Sequence, residues 1–431
     1  MRCWIWTLSL CLSLWFVLSC FAAQSLPASP AQTLTITQAV QEALNKNLTL
    51  VAERYDINIA DAHVITAGLR PNPVLSTSAN IVDRTIFRSG TNPYDEAVRV
   101  DFVFERGGKR ERRLEVAENA RAVAQLQLLN TIRTLMLDVE NACVQVLLAK
   151  ANVALAQENL QFLSNIVEIN THRVRAGDLA QVELERTRLA ALEFQNQVRT
   201  SESDLVVARK ELQVLVGHSL QDAPVDVIGD LRRETAPVNP DTLLQHALTL
   251  RPDFQALQRD EARSVAELRS QIAQGKVDYT IGAEYHRQQG NMKEGNVFSL
   301  YFSAPLPVFN RNQGEIARAQ QEQEQIAVKL RALEADIRKD VQTTYQRYTN
   351  SQEVLQRMET QMLERSQSVR DTMEYSYRRG QASFIEFLDA ERTFNDTRQR
   401  YNQARADYAK SLYQLDAVSG ASVSAALGGT P

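Results

Sequence analysis

The chain has 431 residues, 44% of them hydrophobic and 23% charged, with a formal net charge of −4. This balance excludes a disordered polyelectrolyte. Acidic and basic residues are interspersed without a basic patch, so no nucleic-acid partner is expected. Only 16 glycines and 12 prolines are present, which favours long helices.

Arg2, an apolar run from Cys3 to Phe21 and the small pair Ala22-Ala23 read as a secretory signal over residues 1–23. Cys20 follows Val17-Leu18-Ser19, which resembles a loose bacterial lipobox. On that reading the signal is 1–19, and Cys20 becomes an acylated N-terminus with added hydrophobic anchoring. Cleavage after Ala22 or Ala23 is the alternative. Beyond this region Cys143 stands alone among apolar neighbours. The exported chain therefore has no internal disulfide, and Cys143 is expected in the core. No later apolar run approaches the roughly 20 residues of a spanning helix, so a membrane crossing would have to use strands.

The rest of the chain states one pattern twice. Residues 33–217 begin with a helical stretch. Two alternating strands follow, at about 73–83 and 97–105, and then two long helices at about 110–173 and 179–216. A connector, 218–239, leads to residues 240–420. This second half has strands at about 277–286 and 297–305 and helices at about 313–378 and 382–418. Residues 421–431 read as a flexible tail. Polar loops, Arg84–Asp95 and His286–Asn296, are expected between the strands of each pair. The strand lengths are near those of a transmembrane β-strand. Two hairpins per chain are too few for a closed barrel, so partner chains or a covering core are required.

The helices carry heptad seams of the left-handed coiled-coil kind, in which apolar or small residues recur at alternating steps of four and three. The first runs Leu135, Val139, Ala142, Val146, Ala149, Val153, Ala156, Leu160, Leu163, Val167. The last runs Phe387, Ala390, Phe394, Thr397, Tyr401, Ala404, Tyr408, Ser411, Leu415, Val418. The two long helices of each half meet at an Arg- and Gly-containing turn. Arg175-Ala176-Gly177-Asp178 aligns with Arg378-Arg379-Gly380-Gln381 at an offset of 203. A repeat of this length points to duplication of a domain-sized unit, because solenoid repeats are far shorter.

These turns, the Gly-Leu-Arg-Pro-Asn-Pro run at 68–73 and the Pro305–Ile316 run resemble the TolC family of trimeric outer-membrane efflux factors. The last two runs, with Arg106-Gly107-Gly108-Lys109-Arg110, look most like the CzcC-type branch, which works with heavy-metal resistance-nodulation-division pumps. The resemblance implies a mostly helical TolC-like fold with a small membrane β portion. Each protomer would supply four transmembrane strands, and three protomers would close a twelve-stranded barrel above an α-helical periplasmic tunnel. The termini and connector would form an equatorial layer. The implied partners are two further copies of the chain, a periplasmic adaptor, an inner-membrane RND-type pump and outer-membrane lipid.

In that frame Arg175, Gly177, Asp178, Arg378, Arg379, Gly380 and Gln381 form the periplasmic tips and adaptor docking site. Each glycine would end its helix at positive φ, with Arg175, Arg378 and Arg379 in the last helical turn. Asp371 and Asp389 are candidate gate or mouth charges. For each of these charges, a solvated helix end is the competing reading.

No phosphate loop, metalloprotease motif, paired-cysteine motif or nucleophile elbow is present. The five histidines are scattered, so no cofactor, resident metal or catalytic residue is expected. A passive efflux duct is the leading function. A type I protein-secretion duct is the close alternative, and a soluble periplasmic coiled-coil adaptor or scaffold is the alternative of another class.

Overall fold

The computed structural model describes residues 32–81, 94–234, 238–289 and 294–422. The signal segment, Cys20 and the tail after residue 422 lie outside them. In chain order the elements are β1 (Gln32–Leu34), α1 (Ile36–Lys46), α2 (Leu48–Gly68), β2 (Val74–Ile81), β3 (Tyr94–Phe104), α3 (Lys109–Ala176) and α4 (Gln181–Leu215). Then follow β4 (Val225–Val227), α5 (Pro240–Leu250), α6 (Pro252–Gln274), β5 (Tyr279–Gln289), β6 (Glu294–Ser303), α7 (Gln313–Arg357), a π turn (Met358–Met362), α8 (Leu363–Arg378) and α9 (Phe384–Ser419).

The chain divides into two compact units, one of residues up to Glu42 with Ala142–Asp230, the other of Ala43–Asn141 with the residues from Leu231 on. The first unit holds β1, α4, β4 and the C-terminal part of α3. β1 pairs in parallel with β4, Leu34 opposite Val227. This tie between an N-terminal segment and the connector has no sequence signal, because three-residue strands are too short to show a period. Lys150 of α3 donates to Asp226 Oδ2 (3.0 Å) and to the Val227 carbonyl (2.9 Å), and Arg209 of α4 donates to Asp226 Oδ1 (3.1 Å). Burial would raise the Asp226 carboxyl, but these two cations outweigh it and hold the group below its ordinary range.

The second unit holds a four-stranded antiparallel sheet in the order β2-β3-β5-β6. Its strands extend into the segments expected as polar loops. β3 begins at Tyr94, and β5 and β6 pair out to Gln289 opposite Glu294. The ladder continues there because backbone hydrogen bonds do not require apolar side chains. Residues 82–93 and 290–293 lie outside the described ones.

The duplication is visible element by element. α1 and α5 are both 11 residues long, and each ends at a break into a second helix. The breaks share a backbone conformation and differ in chemistry. Asn47 (φ −61°, ψ 121°) caps α2 by accepting from Leu50 N at 3.1 Å. Arg251 (φ −65°, ψ 122°) is held extended by the proline that follows it and opens α6. At the far end Gly217 and Gly420, also 203 apart, both have positive φ and donate to the carbonyls of Val214 and Ala417.

Three details of the helices go beyond the sequence pattern. The helix expected over 313–378 contains the π turn. No glycine or proline lies between Glu315 and Arg379, so the register change is invisible in composition. An 18-residue window of α3 is apolar enough to pass for a membrane span, at a mean hydropathy of 1.2. Along α3, Val139, Cys143, Val144, Val146 and Ala149 are instead buried in protein, so this is a core helix. Finally, the first seam drifts. Below Ala156 the buried positions are Asn159, Leu163, Ile166 and Asn170, where strict heptads would have placed Leu160 and Val167. A 3.6-residue helix walks round a 3.5-residue pattern at this rate. The seam of α9 follows the expected positions, with Tyr401 alone half-buried.

A buried charge network ties α3, α6 and α7 together in the second unit. Arg251, 5% exposed, donates to both oxygens of Asp253 (2.6 and 3.0 Å) and lies 3.5 Å from Asp340. Arg133 of α3 lies 3.7 Å from Asp253 and donates to the Ala417 carbonyl at the end of α9 (3.1 Å). Nearby on α3, burial, with added repulsion from Asp416 and relief from Arg232, raises Glu140 to about 7. Its folded value lies above its ordinary 4.5, so the folded form holds the proton more tightly and stability falls as pH rises from 4.5 towards 7. Glu140→Gln is expected to flatten this part of the stability–pH curve and to gain roughly 1–3 kcal/mol at pH 8. Thermal unfolding of wild type and variant across pH 5–8 checks this.

Candidate functional site

The two helix-hairpin turns share one hydrogen-bond pattern. At the first, Gly177 (φ +83°) donates to Val174 O at 3.1 Å and Asp178 N to Arg173 O at 2.9 Å. At the second, Gly380 (φ +73°) donates to Tyr377 O at 3.0 Å and Gln381 N to Ser376 O at 2.9 Å. Both are Schellman closures. A Cβ at Gly177 would meet no atom within 4 Å, so the glycine is demanded by the left-handed backbone and not by space.

The tips differ in what supports them. Ser383 caps α9 in a reciprocal box: Glu386 N donates to Ser383 Oγ (3.3 Å), and Ser383 N donates to Glu386 Oε2 (2.8 Å). Ala180 occupies the matching place before α4 with no side-chain cap, and Glu183 accepts from Arg186 instead. Beneath the second tip Tyr377 stacks on Phe387 (5.2 Å between centroids) and meets Phe384 (5.9 Å). The first tip has Val174, Gln181 and Leu184 at the corresponding positions. Ala180→Ser is expected to complete the first box and stabilise α4 by about 0.5–1 kcal/mol. Slower amide exchange in its first turn is the readout.

The first tip lies in one unit and the second in the other, and each of the expected residues is exposed. Arg175 is in the last turn of α3, as expected, and Arg378 in the last turn of α8, where it pairs with Glu374 at 2.6 Å. Arg379 is not in the last turn. It is the residue after α8, with its guanidinium 4.5 Å from the Tyr375 ring centre. The bridge conformation that starts the closure puts it outside the helix. Asp371 pairs with Arg370 (2.7 Å), and Asp389 lies on α9, one turn beyond its start.

One feature near the first tip escaped the sequence reading. Asn170 and Thr187, both fully buried, face each other across the hairpin, with Asn170 Nδ2 donating to Thr187 Oγ1 at 2.8 Å. A polar residue at a heptad seam was the available signal.

At the middle of the sheet the two faces differ in character. One carries Leu75, Val100, Ala283 and Leu300 in a single cross-strand row. Aromatic pairs flank that row, Tyr285 with Phe298 (5.1 Å) on one side and Tyr279 with Phe302 (5.3 Å) on the other. Phe298 is 81% and Leu300 87% exposed. Water would not sustain such a face, and the aliphatic row between aromatic ones is the layout of a lipid-facing barrel wall. The opposite face carries Ser76, Arg99, Asp101, Glu284 and Tyr301.

A sheet with one apolar and one polar face, joined to long helices, is the arrangement of a channel-forming outer-membrane protein. Comparison with known proteins agrees. The outer membrane efflux protein (OEP) family matches twice, over residues 39–218 and 243–421, and the chain belongs to that family. Its channels are passive, not enzymes, and are trimers that work with an adaptor and an inner-membrane pump. The chain is 23% identical over 376 residues to the cobalt-zinc-cadmium resistance protein CzcC of Cupriavidus metallidurans, covering 87% of each. It is 22% identical to the probable outer membrane lipoprotein SilC of Salmonella typhimurium, covering 84% of this chain and 81% of that one. Among solved structures, CusC superposes with a TM-score of 0.76 at 17% identity, covering 90% of this chain and 92% of that one. The channel OprN gives 0.74 at 19% identity, covering 89% of both. The TolC-like fold and the outer-membrane efflux role expected from the sequence therefore stand.

Proposed function

We propose that this chain is the outer-membrane duct of a heavy-metal efflux system. It acts as a homotrimer that receives divalent cations from an RND-type pump through a periplasmic adaptor. The relation to CzcC across 87% of both chains carries the metal assignment. The adaptor docks on the tips, through Arg175, Gly177 and Asp178 on one hairpin and Arg378, Arg379, Gly380 and Gln381 on the other. Asp371 and Asp389 add negative charge towards the mouth. The identical closures at Gly177 and Gly380 support a shared docking role, since both present the same backbone surface. The two repeats, 33–217 and 240–420, each supply one hairpin of strand and one of helix.

A second reading has one specific support. The pyoverdine export protein OpmQ of Pseudomonas putida is 26% identical over 301 residues, which would suit a small organic cargo. Deleting the gene in its host and measuring growth inhibition by cobalt, zinc and cadmium salts against a panel of drugs separates the two. The metal reading predicts sensitivity to the metals alone, reversed by the wild-type gene. Sensitivity confined to organic compounds contradicts it. Charge reversal of Arg378 and Arg379 together is expected to leave outer-membrane levels normal and to abolish complementation.

A further inference from the structure

The polar face of the sheet carries one connected group of side chains spanning three strands. Arg99 Nε of β3 donates to Asp101 Oδ1 at 2.8 Å. The same guanidinium lies 4.3 Å from the ring centre of Tyr301 on β6. Tyr301 in turn donates its hydroxyl to Glu284 Oε1 of β5 at 2.9 Å. The register places Arg99 directly opposite Glu284, and Asp101 opposite Gly282. Gly282 is the space the group needs: a Cβ there would collide with Asp101 Oδ1 and stand 3.1 Å from Arg99 Nε. The cation is thus fixed from two sides, by a carboxylate and by a ring. The group holds one guanidinium and two carboxylates, so its net charge is negative.

The opposite face of the same strands is the apolar one that meets lipid, so this face turns to the water inside the barrel. Channels of this family are trimers, and three copies place three such groups at one level of the wall. Fixed charges beside a low-dielectric wall focus the field in the lumen. We infer that Arg99, Asp101, Glu284 and Tyr301 form a charge-selective ring at the level of the outer membrane, with Glu284 and Asp101 favouring cations and Arg99 setting a limit on that preference. The inference rests on the trimeric channel and not on the metal cargo; a drug-exporting trimer would carry the same ring.

Purified trimer in planar lipid bilayers under a potassium chloride gradient tests it. Wild type is expected to show a cation-preferring reversal potential. Glu284→Gln and Asp101→Asn shift it towards anions, and Arg99→Gln shifts it further towards cations. Unchanged potentials in all three variants, or shifts of the same sign for Arg99→Gln and Glu284→Gln, overturn the inference. Ser299→Cys, opposite Glu284 on β6, keeps the test independent of charge-variant folding. A cationic membrane-impermeant thiol reagent should react with it and shift the potential towards anions, while Cys143 is buried. Failure to react in open trimers overturns the lumenal assignment. Metal sensitivity in cells does not enter either readout, so this ring and the cargo assignment fail separately.

Discussion

Arg251→Ala is expected to destabilise the protein by about 2–4 kcal/mol, because it removes a buried guanidinium and strips the half-buried carboxylate of Asp253 of its bidentate partner. Burial alone would raise the Asp253 carboxyl, but Arg251 more than offsets it and holds the group below its ordinary range. With Arg251 gone, Asp253 keeps Arg133 at 3.7 Å and the Phe254 amide, which donates to its Oδ1 at 3.0 Å, and its carboxyl would protonate at a higher pH. The loss should therefore be greatest near neutral pH and shrink on acidification. The same corner is tight in its backbone. A Cβ at Gly420 would stand 2.9 Å from the Leu250 carbonyl carbon, and its φ of +77° disfavours any side chain. Gly420→Ala is thus also destabilising, without the pH dependence. Thermal unfolding of both variants at pH 3 and 7, on either side of the ordinary Asp value of 3.8, separates the electrostatic cause from the steric one.

The second large effect is expected at the second tip. Phe387 is fully buried and stacks on Tyr377 with an interplanar angle of 11°. Phe387→Ala is expected to cost about 3–5 kcal/mol through lost burial and the cavity left behind. The cost falls on the base of one hairpin, so it should appear as faster amide exchange in α8 and the first turns of α9, with β5 and β6 unchanged. Phe387→Leu, which reproduces Leu184 of the first tip, should recover most of the stability and lose only the stacking. If exchange rises uniformly through the chain, the tip is not an independently opening segment.

Much of this architecture is legible in the sequence because it depends on periodicity and on glycine. The turns at Gly177 and Gly380 are readable because a left-handed closure has few other solutions, and their spacing of 203 exposes the duplication. The seam of α9 is readable because Phe387, Phe394, Tyr408 and Leu415 are large and recur at heptad spacing. The missed features have no period. β1 and β4 pair over three residues. The π turn shifts register within an unbroken helical composition. The polar ends of β5 and β6 look like loops because a ladder beyond the membrane needs no apolar face. The Asn170–Thr187 pair joins residues 17 positions apart and the Arg133–Asp253 contact of the Arg251 network residues 120 apart, a coincidence in space that the chain's local pattern does not encode. At the tips, residue types and helix ends were legible. The support beneath them, a capping box on one side and a bare alanine on the other, has its sequence mark in Ser383 standing three residues before Glu386 where the first copy has Ala180 before Glu183.

Fold, family and sheet chemistry converge on a trimeric duct through the outer membrane. The decisive measurement extracts the protein from isolated outer membranes, determines the mass of the intact particle and inserts the same sample into a planar bilayer. Three chains per particle and stable ion-conducting steps are expected. A monomer recovered from the soluble periplasm, or a membrane-extracted particle that conducts no ions, would contradict the trimeric duct.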